Sequence, residues 1–82
     1  MEQQQVFEKV IEILKPFVKN VNALTSASME TSILGDLKVN SARLVDIVLE
    51  IEDTFQMAVT DDQADKVRSI GDAVTLIMAQ KS

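Results

Sequence analysis

The sequence predicts an all-α bundle of three main helices and one short one, and three observations carry that prediction. Apolar residues recur at helical spacing in three separate stretches. Two segments fit the pattern in which a hydroxyl and a side chain three positions later cap a helix start reciprocally. No stretch alternates apolar and polar residues long enough for a half-buried strand; residues 56–60 come nearest and are too short and isolated to form a sheet.

Over residues 4–15 the apolar Val6, Phe7, Val10, Ile11 and Leu14 return every three or four positions, with Glu8, Lys9, Glu12 and Lys15 filling the other side. Pro16 has no N–H to donate to the carbonyl of Glu12 and crowds it, so this first helix ends or kinks near Lys15, with Phe17 and Val18 still reaching the core. Phe7 and Phe17 are packing residues on this reading. Residues 20–32 are rich in Asn, Ser and Thr and show neither helical nor strand period. They read as a long loop pinned by Val21, Leu24 and Met29, after which Ile33, Leu34 and Leu37 return to the core.

Residues 35–55, GDLKVNSARLVDIVLEIEDTF, organise the rest. A polar break at residues 38–41 precedes a run without Gly or Pro, so the second helix starts at Asn40 or Ser41. Asn40 is the better N-cap, because its side-chain oxygen can accept an N–H that has no partner inside the helix, leaving the Ser41 hydroxyl free and exposed. At roughly 100° per residue, Leu44, Ile47, Val48, Ile51 and Phe55 form the buried stripe. Val45 and Leu49 fall roughly 100 to 140° away, on the side of Ser41 and near Asp46, Glu52 and Asp53. Two apolar residues therefore stand among carboxylates beside an exposed serine.

The segments Thr60-Asp61-Asp62-Gln63 and Ser69-Ile70-Gly71-Asp72 are the two that fit a capping box. The first opens a short helix ending near Lys66 or Val67. The second opens a helix running to about Gln80 with Ile70, Ala73, Val74, Ile77 and Met78 facing inward, at some cost in helicity from Gly71.

Composition narrows the function. The 82 residues make one small domain over positions 1–82. With no Cys and no His there is no disulfide, thiolate metal site or neutral-pH base, and Asp61, Asp62 and Asp65 lack the Gly and terminal Glu of a calcium loop. They read as first-turn charges favoured by the helix dipole. No nucleophile and base pair can be assembled around Ser41, whose sequence neighbours are Arg43 and acids, so no catalytic residues are expected. Thirteen acidic against eight basic residues, net −5, disfavour nucleic acid and anionic membrane and favour basic partner patches. The run Met1-Glu2-Gln3-Gln4-Gln5 lacks the positive region of a signal peptide, and no apolar stretch approaches the roughly 20 residues needed to span a bilayer, so the cytoplasm is the expected compartment.

The residues now in view resemble the acyl carrier protein family. The likeness consists of the lead-in Gly35-Asp36-Leu37, then Asn40-Ser41-Ala42 at the head of a long second helix, then Leu44 through Phe55, the short acidic helix near Asp61 to Lys66 and the last helix after Ser69. A serine at a helix start is common; the order and spacing of these segments over the whole chain are far more specific. The family usually has Asp where Asn40 stands and Leu where Ala42 stands. The resemblance implies an acyl-carrier-like four-helix fold with 4'-phosphopantetheine attached covalently to Ser41, its thiol bearing an acyl thioester. It implies a monomer that is modified by a phosphopantetheinyl transferase. The loaded carrier would serve synthase or acyl-transferring enzymes of fatty acid, polyketide or related lipid biosynthesis through their basic docking patches. On the same basis Asp36, Val45, Asp46, Leu49, Glu52 and Asp53 form the partner-binding face. An aminoacyl or peptidyl carrier, and an unmodified helical interaction domain, are the alternatives. From the residues alone, Ser41 reads as a cap or first-turn serine, and it is the family pattern that reverses this. The apolar Leu44, Val48, Ile51 and Ile70 either line a space for an acyl chain or close on one another, the default for a buried stripe.

Overall fold

In the computed structural model, which describes residues 2–81, three helices of twelve residues each make the frame: α1 (Gln3–Leu14), α3 (Leu44–Phe55) and α5 (Ile70–Lys81). The one-turn α2 (Asn22–Thr25) and the short α4 (Asp61–Asp65) lie between them. Helix α1 packs against both α5 and α3. The expected architecture of three main helices and one short one is present, with α2 in addition.

Each boundary has a local cause. Pro16 takes the second position of a tight 3-10 turn, Lys15–Phe17, which ends α1 at Leu14 as its missing N–H requires. The turn of α2 lies inside the stretch expected to be irregular. Asn20 Oδ1 accepts from the backbone N–H of Asn22 at 3.1 Å and Leu24 is buried, so a side-chain turn ahead of the helix and one apolar anchor hold four residues too few to show a period. Helix α3 is entered through a 3-10 turn, Ser41–Arg43, capped by Asn40 as expected. It ends at Gln56, whose φ of 53° reverses the chain. Residues 57–60 continue without becoming a strand. Both expected capping boxes are present: Thr60 with Gln63, and Ser69 with Asp72.

The long loop is tied to the head of α5 by backbone bonds. Ile33 N donates to Arg68 O at 3.0 Å, Ile70 N to Thr31 O at 3.0 Å, and Gly71 N to Met29 O at 2.8 Å. A Cβ on residue 71 would stand 2.6 Å from Met29 O, which is why glycine occupies a helical position it would otherwise weaken.

The core combines Val6, Val10, Ile13 and Leu14 with Ile47, Ile51 and Phe55 and with Ile70, Ala73, Val74 and Ile77. Ile13 was absent from the expected face of α1, while Phe7 and Ile11 prove only partly buried. Ile13 lies seven residues from Val6, about two helical turns, so the buried stripe runs from Ile13 through Val6 and Val10 to Leu14, and Phe7 and Ile11 lie together beyond its Leu14 side. Leu44, at the first position of α3, is likewise half-buried at the N-terminal end of its stripe, whereas Ile51 and Ile70 are buried in the packed cluster.

Candidate functional site

Ser41 opens the turn leading into α3, and its side chain is exposed. The polar groups around it are already matched: Asn40 Oδ1 accepts from Ala42 N at 2.9 Å, and Asn40 O accepts from Arg43 N at 2.8 Å. Among the described residues none of the hydrogen bonds at this helix start uses the Ser41 hydroxyl. The capping task falls to Asn40, leaving a free hydroxyl at the positive end of a helix, where a negative group is favoured.

The approach to Ser41 is set by the turn before it. Ser32 N donates to Asp36 Oδ2 at 2.8 Å and Gly35 N to Ser32 Oγ at 3.0 Å, which closes the loop ahead of the helix. Lys38 then adopts φ 55°, a left-handed conformation costly for a residue with a Cβ. That turn lets Val39 bury its side chain and donate its N–H to Ile33 O at 3.2 Å. Asp36 therefore shapes the turn through the same carboxylate that the resemblance assigns to partners.

Along α3, Val45 and Leu49 are 64 % and 56 % exposed, ahead of Val21 at 50 %, and these are the exposed large apolar residues among those described. Asp53 is exposed beside them. Asp46 forms an ion pair with Arg43, Nη1 to Oδ2 at 3.2 Å, which offsets its charge locally. Glu52 differs from its neighbours: it is half-buried, and its Oε2 accepts from Val59 N at 2.9 Å. Its carboxylate holds the chain reversal after α3. At roughly 80° from Leu44 on the helical wheel, Glu52 sits where the buried stripe ends.

Two contacts had no counterpart in the sequence pattern. The Arg43 guanidinium carbon lies 5.5 Å from the centroid of the Phe17 ring, joining the end of α1 to the turn bearing Ser41. Arg43 also shares a cavity with Lys19 and Lys38. Residues so far apart in sequence leave no periodic signal. Away from this site, N–H groups of Arg68 and Ser69 hold the Asp72 carboxyl below the ordinary aspartate range. Among the described residues no cluster of His, Cys, Asp or Glu could hold a metal ion, and no helix is long and apolar enough to cross a membrane.

A short all-helical domain with a free serine at the capped head of its second main helix, beside an exposed apolar and acidic surface, has the form of a carrier domain. The chain is similar to the acyl carrier protein of Clostridium acetobutylicum, 36% identical over 74 residues, covering 90% of this chain and 94% of that one. It is 29% identical to the acyl carrier protein of Lactobacillus acidophilus over 82 residues, 99% of each. Among solved structures it superposes on the acyl carrier protein from Enterococcus faecalis with a TM-score of 0.79 at 28% identity, covering 96% of this chain and 98% of that one. No family model matches. With a relative at 36% identity over nine-tenths of the chain and a shared fold, the chain belongs to the acyl carrier protein family, and its function is that of an acyl carrier.

Proposed function

We propose that Ser41 is the attachment residue for 4'-phosphopantetheine and that the loaded carrier works in the cytoplasm, presenting its acyl group to synthase or acyl-transferring enzymes that do the catalysis. The observation behind this reading is the exposed Ser41 hydroxyl, left out of the hydrogen bonding because Asn40 caps the helix. The donor set suits such a group: an accessible alkoxyl oxygen for the phosphodiester, and a helix start for its charge. Once attached, the group supplies the thiol that a chain without cysteine lacks.

Val45 and Leu49 form the apolar centre of the partner face, with Asp53 as its freest charge and Asp46 partly offset by Arg43. Exposed apolar area gives affinity, and surrounding carboxylates steer a basic partner. Glu52 and Asp36 border this face and keep its shape through their backbone bonds.

Co-expression with a phosphopantetheinyl transferase followed by intact mass tests the assignment. One mass gain is expected in the native chain and none in Ser41→Ala, whose helical CD signal is unchanged. Modification persisting in Ser41→Ala overturns it. Identification of the group on protein purified from its native source separates acyl from aminoacyl cargo.

A further inference from the structure

At the corner where α1 ends and the turn into α3 begins, a cavity of about 470 Å³ is lined by Pro16, Phe17, Lys19, Lys38, Asn40 and Arg43. Its charge is the opposite of the protein's. The chain carries thirteen acidic residues and eight basic ones, yet three of the eight line this cavity and no carboxylate does. Arg43 is fixed between the Phe17 ring and the Asp46 carboxylate. Lys19 and Lys38 are exposed, and among the described residues neither makes an ion pair. Lys38 is held there on left-handed backbone, φ 55°, where glycine would sit without strain.

Two observations tie this corner to the surface that a partner covers. Arg43 Nη1 lies 3.2 Å from Asp46 Oδ2, so the corner begins where the acidic side of α3 ends. Asn40 and Arg43 also flank Ser41 in the chain, although Ser41 itself falls on the Val45 and Leu49 side of the helix. An enzyme that reaches the Ser41 hydroxyl through a contact of ordinary size covers about 800 Å², a patch about 30 Å across. The whole protein measures only 30 × 26 × 19 Å, so such a patch takes in both flanks of the helix start. A cation covered with no anion opposite it loses its water and gains nothing in return. The enzyme therefore has to bring carboxylates to Lys19 and Lys38, as it brings cations to Asp53. We propose that Lys19, Lys38 and Arg43 form a second docking contact, opposite in charge to α3, that receives an acidic segment of the enzyme that modifies Ser41. The inference rests on Ser41 being the attachment residue and α3 the partner face. With acidic and basic contacts side by side in one interface, the complex has one favourable orientation, because turning the enzyme brings like charges together.

The sign of a rate change distinguishes this contact from steering by net charge. Lys19→Gln/Lys38→Asn, in which Asn tolerates the left-handed backbone, makes the chain more negative by two charges. If net charge alone steered a basic transferase, this variant would be modified faster. With the transferase that loads the native chain, KM should instead rise roughly three- to tenfold for the two exposed contacts, while kcat and the unfolding midpoint stay nearly unchanged. The gap should close in roughly 1 M salt, where charges are screened within about 3 Å. Asp53→Lys should slow the same reaction, so that losing charge of either sign weakens docking. A second readout uses isotope-labelled Ser41→Ala, which binds the transferase without reacting. Its Lys19 and Lys38 amide signals should shift with those of Val45 and Leu49 when the transferase is added, and inorganic phosphate at the same concentration should leave them in place. A double variant modified as fast as the native chain or faster, shifts confined to α3, or a corner filled by inorganic phosphate alone at that concentration overturns the proposal. Failure of the attachment reading is seen separately, as no mass gain in the native chain or as a gain that persists in Ser41→Ala.

Discussion

Gly71→Ala tests how the loop that delivers Ser41 is held. In an unconstrained helix the substitution stabilises by about 1 kcal/mol, because glycine has more backbone freedom to lose. Here the new methyl would stand 2.6 Å from Met29 O and 3.3 Å from the Met29 carbonyl carbon and Cβ, and the nearest of these is backbone that cannot rotate aside. Relieving the overlap moves the loop away from α5, at about 1 to 3 kcal/mol for overpacking. The Gly71 N to Met29 O bond of 2.8 Å is stretched or lost with it, for about 1 kcal/mol more. Subtracting the helical gain leaves a net loss of about 1 to 3 kcal/mol, and at roughly 4 to 8 °C per kcal/mol for a domain of this size the midpoint should fall by about 10 °C. Thermal unfolding followed by CD measures it. Gly35→Ala is the comparison, since its Cβ would meet only the Ser32 side chain, Oγ at 3.1 Å and Cβ at 3.5 Å, and no backbone; the smaller loss expected there comes from shifting the Ser32 Oγ that accepts from Gly35 N. A Gly71→Ala midpoint equal to or above that of the native chain refutes the argument and would mean that the loop is not seated on α5.

The other predictions concern the partner face and acid stability. Leu49→Ala should leave the unfolding midpoint nearly unchanged, given its exposure of 56%, and speed dissociation from a cognate enzyme by about 1 to 2 kcal/mol; a large loss of stability with unchanged binding would place Leu49 in the core instead. Asp53→Lys should slow association and flatten its salt dependence without altering stability. Glu52→Ala should lower stability by about 1 to 2 kcal/mol, because it leaves Val59 N without its acceptor; equal midpoints for the two variants would show that the Glu52 bond contributes nothing. The lowered Asp72 value makes its contribution to stability complete above the unfolded value, near 3.9, and lost as pH falls through the lower native one. Denaturant midpoints measured from roughly pH 5 to pH 2 should therefore fall less steeply in Asp72→Asn than in the native chain.

The chain by itself determined its helices, because helical period, capping and proline are local properties of neighbouring residues. The stripes on α3 and α5, the end of α1 at Pro16, the cap at Asn40 and both capping boxes were legible for this reason, as was the exposure of Val45 and Leu49 among carboxylates. The order of these segments also carried the resemblance to the family. Only the tertiary structure decided what lies between residues distant in sequence. Glu52 and Asp53 are adjacent on one helix and look alike in the sequence, yet the reversal at Gln56 brings Val59 back to Glu52 alone. Gly71 looked like a weak point of α5 until the Met29 carbonyl was found where its Cβ would be. Lys19, Lys38 and Arg43 belong to separate segments, and their shared cavity exists because Phe17 at the end of α1 meets Arg43 at the start of the turn into α3. Such contacts follow from how the helices pack, and no periodicity within a segment records them.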